Sequence, residues 1–228
     1  MVILLVACSK DPDPPLPDPI NSYFTLYNFL MVPYEISWTS ADESVEIAHP
    51  YGIPIQAFTT MDRDSAEVSF TVKRSGTGTV IESEVFMMKK NKFYIIAIIG
   101  TENDPILLFE PMNIKRPDTE KIKIRFLQAA EDLDPVDVYI GGTGQDSRVL
   151  SGLAFADITA YIELSQVLAW DSLIISPQGI FPSDSTLFSY TRNEVILPDN
   201  IYLGVIAHSD NSPLSSLKLE LFEHPVDN

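Results

Sequence analysis

The stretch FYIIAIIGTENDP, residues 93–105, is answered later in the chain by IYLGVIAHSDNSP, residues 201–213. Each is an apolar run with tyrosine at its second position. Each then enters a polar turn closed by proline. An apolar run of this length, bounded by Asn, Asp and Pro, reads as a buried strand and is too short for a core helix. The strand that follows ends in Leu-Phe-Glu in both places, at 108–110 and 221–223, with five more residues between in the second copy. Earlier segments match as well. PYEISW at 33–38 parallels PVDVYI at 135–140, and IQAF at 55–58 parallels ITAY at 158–161. Several matches in order, all offset by about a hundred residues, indicate a duplicated domain.

The remainder of the chain fits that pattern. Short extended runs alternate with turns, which is the signature of an all-β sandwich or barrel. EVSFTVK at 67–73 alternates cleanly and puts Val68, Phe70 and Val72 on one face. KRSGTG at 73–78 reads as a hairpin connection, and GGTG at 141–144 as a turn needing positive φ. Expected strands in the first copy are 22–30, 34–38, 43–48, 54–59, 66–74, 79–88, 92–99 and 106–112. In the second they are 121–129, 135–140, 147–150, 157–163, 170–176, 185–190, 194–197, 201–207 and 216–223. A short helical turn is expected over 164–169. KRPDT at 115–119 is polar, contains proline and separates two apolar strands, as linkers do. The expected organisation is one domain over residues 20–114 and a second over 119–226, both antiparallel β-sandwiches.

Composition narrows the function classes. The 228 residues carry a formal net charge of −17, so nucleic acid is not an expected partner. Seventeen prolines argue against a helical bundle. After the N-terminus no apolar run reaches the length of a membrane-spanning helix. The single cysteine excludes an internal disulfide framework and any thiolate-rich metal site.

That cysteine is Cys8, at the end of the apolar run in residues 2–7. Leu5-Val6-Ala7-Cys8 resembles the lipobox of bacterial lipoproteins. The resemblance implies that residues 1–7 are the remnant of a signal peptide and that the Cys8 thiol carries a diacylglycerol. Each buried methylene contributes about 0.8 kcal/mol, so two or three acyl chains hold a protein on a membrane. No Lys or Arg precedes Cys8, so the reading expects the true start to lie upstream. The competing reading is a buried cysteine in an N-terminal strand. Cys8-Ser9-Lys10-Asp11-Pro12-Asp13 is similar to the signal that sends Bacteroidetes lipoproteins to the exterior face of the outer membrane. Residues 8–19, rich in proline, then read as a stiff lipid-anchored tether.

The segment from Ile124 through Ala130, Pro135 and VDVYIGG at 136–142 resembles the opening of the family called domain of unknown function 4397. That family has an Arg-bearing strand, a short turn, and then Val-Asp-Val-Tyr and a glycine. ADITAYI at 156–162 and Tyr94 to Thr101 are similar to its later strands. Gln128 stands where the family has His or Asn, and Glu131-Asp132 where it has Ser-Pro. The first copy keeps Asn28, Pro33 and the strand pattern. The resemblance implies extracytoplasmic, Ig-like sandwich units in tandem and implies no established activity.

Candidate chemical groups are few. His49, His208 and His224 are not spaced as metal ligands and neighbour prolines or turns, so they are expected as exposed loop residues. No G-x-S-x-G motif supports a serine nucleophile. Glu131, Asp132, Asp134 and Asp137 form an oxygen-rich loop of the kind calcium takes. The EF-hand spacing is absent, and aspartates bonding their own turn are the alternative. Asp137 inside an apolar strand is expected to serve structure. Trp38 is expected in the core. Trp170 is the candidate for stacking on a ligand, with a core position as the alternative. No cofactor is expected. These features point to a non-catalytic binding or adhesion module on the outer membrane, held there by lipid on Cys8 and engaging a glycan or an envelope protein. The alternatives are a structural spacer in an envelope assembly or a glycan-active enzyme working through paired carboxylates.

Overall fold

The computed structural model describes residues 21–30, 34–40, 43–61, 63–101, 103–165, 172–182, 185–191, 199–208, 217–224 and 226. Cys8, the tether, Trp170 and the expected strand 194–197 lie outside the described residues. The chain is all-β. It divides into two compact units between Asn113 and Ile114.

Among the described residues the first unit has eight strands. They are β1 (Asn21–Asn28), β2 (Tyr34–Thr39), β3 (Ser44–His49), β4 (Ile55–Thr60), β5 (Ser65–Arg74), β6 (Val80–Lys89), β7 (Phe93–Gly100) and β8 (Pro105–Pro111). One sheet runs β4-β1-β7-β8 and the other β3-β2-β5-β6. Their facing sides share one core. Phe24 and Leu26 of β1, with Ile96 and Ile98 of β7, meet Ile36 and Trp38 of β2 and Val68, Phe70 and Val72 of β5. The alternation in 67–73 builds this directly, because a period of two sends every second side chain inward. Phe24 packs edge-on against both Trp38 and Phe70, at 5.2 and 5.3 Å between ring centres.

The second unit repeats the plan. Its strands are β9 (Lys121–Gln128), β10 (Val136–Ile140), β11 (Arg148–Leu153), β12 (Ile162–Ser165), β13 (Ser172–Pro177), β14 (Phe188–Thr191), β15 (Ile201–His208) and β16 (Leu217–His224). The sheets run β12-β9-β15-β16 and β11-β10-β13-β14. Advancing each strand number of the first unit by eight reproduces both orders. Ile122, Ile124, Phe126, Val136, Val138, Ile175 and Tyr202 lead its core.

Both units are sandwiches of the expected class and mostly antiparallel. Each contains one parallel pair, β1 with β7 and β9 with β15. An immunoglobulin constant domain places its first, second, fifth and fourth strands in one sheet. Here the first strand instead joins the fourth, seventh and eighth.

Backbone register corrects three details. Pairing with β9 puts Ile162 opposite Ile124, as Ala57 lies opposite Phe24. The counterpart of Ala57 is thus Ile162, two residues beyond Ala160. Of the strand expected at 157–163, Ile158 makes only an isolated bridge to Leu127, and β12 begins at Ile162. The helical turn expected over 164–169 fails at its start, since Leu164 and Ser165 are strand residues; its remaining residues are outside the described set. Finally, the two Leu-Phe-Glu motifs are not equivalent. Phe109 lies opposite Ile96, whereas Leu221 lies opposite Gly204. Register fixed by the core flips a strand's faces when it slips by one, so Phe109 packs on its core and Leu221 on its own. Gly204 makes room for Phe126. A Cβ there would lie 2.8 Å from the Phe126 ring.

Candidate functional site

The first and second copies share a fastener that neither composition nor spacing showed. β1 ends in Asn28 and β9 in Gln128. Asn28 Oδ1 accepts the Leu30 N–H at 3.0 Å, and its Nδ2 donates to the His49 carbonyl at 2.7 Å. Gln128 Oε1 accepts the Ala130 N–H at 2.6 Å, and its Nε2 donates to the Leu133 carbonyl at 3.1 Å. Both amides are fully buried. Each satisfies a donor and an acceptor where the chain leaves the sheet. The Gln128 that departs from the family pattern therefore does the work of Asn28.

The densest polar cluster is built around Asp137. Val136, Val138 and Ile140 of β10 face the core, so Asp137 and Tyr139 project to the other side of the sheet. Asp137 is nevertheless fully buried. Its carboxylate accepts from Ser151 Oγ at 2.8 Å, the Gly152 N–H at 2.9 Å, the Gly179 N–H at 3.1 Å and Arg148 Nη1 at 3.1 Å. Burial alone would raise its pKa. The Gly179 amide, the Ser151 hydroxyl, the Gly152 amide and the Arg148 guanidinium together outweigh that and hold the carboxyl below the usual carboxylate range.

Two of those donors are amides of glycines at positive φ. Gly152 stands in β11 at φ +71°, and Gly179 opens the β13–β14 connection at φ +76°. The described residues of that connection are tied to the sheet and to one another. Gln178 N–H donates to the Pro135 carbonyl and Leu187 N–H to the Ile175 carbonyl, both at 2.9 Å. The buried Ser176 hydroxyl sits 2.6 Å from the Ile180 carbonyl and 2.7 Å from that of Ser185, donating to one at a time. Thr186 Oγ1 donates to the Pro182 carbonyl at 2.9 Å.

The four acidic candidates are not brought together. Asp137 is saturated by the donors above. Asp132 Oδ1 accepts from His208 Nε2 at 2.9 Å. Glu131 and Asp134 are exposed on the turn between β9 and β10. Among the described residues, no three His, Cys, Asp or Glu side chains sit where they could hold one metal ion. Trp38 is in the core of the first unit.

The histidines correct the expectation of exposed loops. All three are buried, and each is the last residue of a strand, β3, β15 or β16. A strand's end can still lie under its neighbours, which local sequence does not reveal. His49 Nδ1 donates to the Pro50 carbonyl at 3.0 Å, and burial lowers its pKa. Burial, with the nearby Arg125 charge, pushes His224 down to about 3. Arg125 itself is buried on β9 with its guanidinium 4.8 Å from the centre of the Tyr161 ring.

No family model matches the chain, and no curated protein matches it. Nothing beyond the residues themselves therefore carries the likeness to domain of unknown function 4397. Among solved structures the chain is similar to a fimbrial assembly protein from Parabacteroides distasonis ATCC 8503. They are 10% identical, the match covers 90% of this chain and 98% of that one, and the TM-score is 0.22. A likeness at that level carries no argument about activity.

Proposed function

We propose that this chain is a surface lipoprotein of the bacterial outer membrane and acts there as a non-catalytic binding or adhesion module. One observation carries the reading. Among the described residues, most of the candidate side chains are engaged in fastening the two sandwiches. Asp137 is bonded by four donors, Asp132 is engaged by His208, and His49 and His224 are buried at strand ends. What such a molecule offers a partner is surface, held in shape by two independent cores. Leu5-Val6-Ala7-Cys8 supplies the address, and the Pro-rich residues 8–19 would lift the first domain off the lipid.

The test is made in the native host. Mass analysis of the N-terminal peptide should show Cys8 as the first residue with a diacylglyceryl adduct, and Cys8→Ala should move the protein from the membrane to the soluble fraction. Protease added to intact cells should digest the wild-type protein. An unmodified Cys8 overturns the anchor. Protection from protease overturns the exterior location.

A further inference from the structure

We propose that β6 pairs edge to edge and antiparallel with the β6 of a second copy of this chain, joining two four-stranded sheets across one seam. The pairing is independent of what Cys8 carries. β6 ends its sheet. It pairs with β5 on one side, and among the described residues no strand lies along the other. It has ten residues, where the other edges of this unit, β3, β4 and β8, have six, six and seven. Its sequence, VIESEVFMMK, holds no Pro or Gly, whereas β8 is bracketed by Pro105 and Pro111. A long edge without such interruptions is a template for another strand.

The backbone and side chains of β6 are set for that pairing. Lys90 N–H donates to the Asp64 carbonyl at 3.0 Å and continues the β5–β6 ladder by one step. In an antiparallel ladder bonded and unbonded pairs alternate. Residues 82, 84, 86 and 88 therefore bond β5, and Ser83, Val85, Met87 and Lys89 turn their N–H and C=O groups outward. Phe86 and Met88 pack on the core, so the side chains of this outward set stand on the opposite face. Val85 and Met87 are 57 and 52% exposed there.

The order of charges along the strand selects the occupant. Glu82 and Glu84 lie before Val85, and Lys89 and Lys90 follow Met88. Parallel pairing of two such strands would set like charges side by side. An antiparallel pair centred on Phe86 sets Glu82 opposite the partner's Lys90, Ser83 opposite the partner's Lys89 and Val85 opposite the partner's Met87. Glu84 then lies diagonal to the partner's Lys90, within reach of a long side chain. A two-fold axis makes each pairing twice and closes the assembly at two chains. Two valines and two methionines meet in the middle of the seam and cover one another. Each chain's net charge of −17 opposes association. Charges farther than about 8 Å from the seam are screened at physiological ionic strength, while the Glu–Lys pairs are neighbours across it.

The experiment uses the full chain with Cys8→Ala, which leaves no native thiol. Sedimentation should show a reversible dimer with a Kd of about 10 μM. Val85→Lys should weaken it by roughly 10-fold or more and leave the thermal midpoint of the dilute chain unchanged. One chain is then given Glu82→Lys with Glu84→Lys, and another Lys89→Glu with Lys90→Glu. Each alone should be monomeric, and their equimolar mixture should dimerise, because opposite charges again face each other. Register is read by mixing a Ser83→Cys chain with a Lys89→Cys chain. Air oxidation should join the two kinds of chain and should not join like with like, since like positions stand about 20 Å apart along the seam. A chain that stays monomeric at about 100 μM overturns the inference. So do a dimer indifferent to Val85→Lys, a mixture of the charge variants that stays monomeric, assemblies beyond two chains, or disulfides between like positions. Should a charge variant fail to fold, the exposed Ser83 and Lys89 substitutions still decide.

Discussion

Glu35 in β2 and Asp137 in β10 occupy the same place in the two copies, one step past each second strand's first core residue and two past the proline before it. Both point away from the core, and both reach the connection between the fifth and sixth strands. Glu35 Oε1 accepts from Ser75 Oγ at 3.3 Å, a long bond at a half-buried site. Asp137 accepts from the Gly179 amide and three further donors and is fully buried. The carboxylate's position is inherited from the duplication. Its importance depends on how much chain folds over it. The β5–β6 hairpin is short and leaves Glu35 in contact with water. The longer β13–β14 loop covers its counterpart and makes it the fastener of a loop.

The largest expected effect follows from that difference. Asp137→Ala removes the acceptor of the Gly152 and Gly179 amides and of the Ser151 hydroxyl and leaves the Arg148 charge unpaired beside the sheet, and should cost the second unit about 2 kcal/mol. Glu35→Ala should cost the first unit less than about 1 kcal/mol. Denaturant unfolding followed by hydrogen exchange resolved to each unit measures both. Equal losses would break the comparison.

Acid should also separate the units. His224 has a folded pKa of about 3 against an unfolded value near 6.5, so the unfolded chain takes up the proton first. Its contribution is complete above about pH 6.5 and is lost on acidification by about 1.4 kcal/mol per unit until the folded pKa is reached. His49 acts with the same sign in the first unit, since its folded pKa is also lowered. His224→Phe should flatten the acid limb of the second unit. A limb that stays as steep would show that His224 is already protonated in the folded state.

Gly204→Ala should cost about 2 kcal/mol by forcing a methyl into the Phe126 ring. Ile96 stands in the same place in the first unit and is buried in its core. Paired with Phe126→Leu, which clears the contact, Gly204→Ala should recover most of its loss, and failure to recover would mean that the ring is not the obstacle. The smallest difference is expected between Asn28→Ala and Gln128→Ala. Each removes one amide fastener, and each should cost its own unit about 1 kcal/mol or somewhat more. A loss confined to one unit would mean the two amides are not equivalent.

Much of this architecture was legible in the chain. All eight strands of the first unit lie within a residue or two of where apolar runs and turn residues place them. In the second unit the expectation at 157–163 slipped because Ile158-Thr159-Ala160-Tyr161 imitates Ile55-Gln56-Ala57-Phe58, while the ladder with β9 starts later. Leu-Phe-Glu misled in the same way. A three-residue likeness carries no register, and only pairing with β7 and β15 shows that Phe109 turns inward and Leu221 takes its place. Of the polar candidates, Asp137 was visible as a lone charge in an apolar strand. Asn28 and Gln128 gave no such signal, because an amide at the end of a strand looks like any turn residue.

By itself the sequence determined the strand class, the duplication and the strong negative charge. These are properties of local pattern and composition, and a period of two or a repeat survives any tertiary arrangement. Only the tertiary structure decided that the histidines are buried, that the first strand of each copy runs parallel to the seventh, and that Asp137 spends its charge on distant amides. Those facts depend on which chain segments close over one another. Residues such as Asp137 and Gly179, 42 positions apart, meet only when the sandwich is assembled.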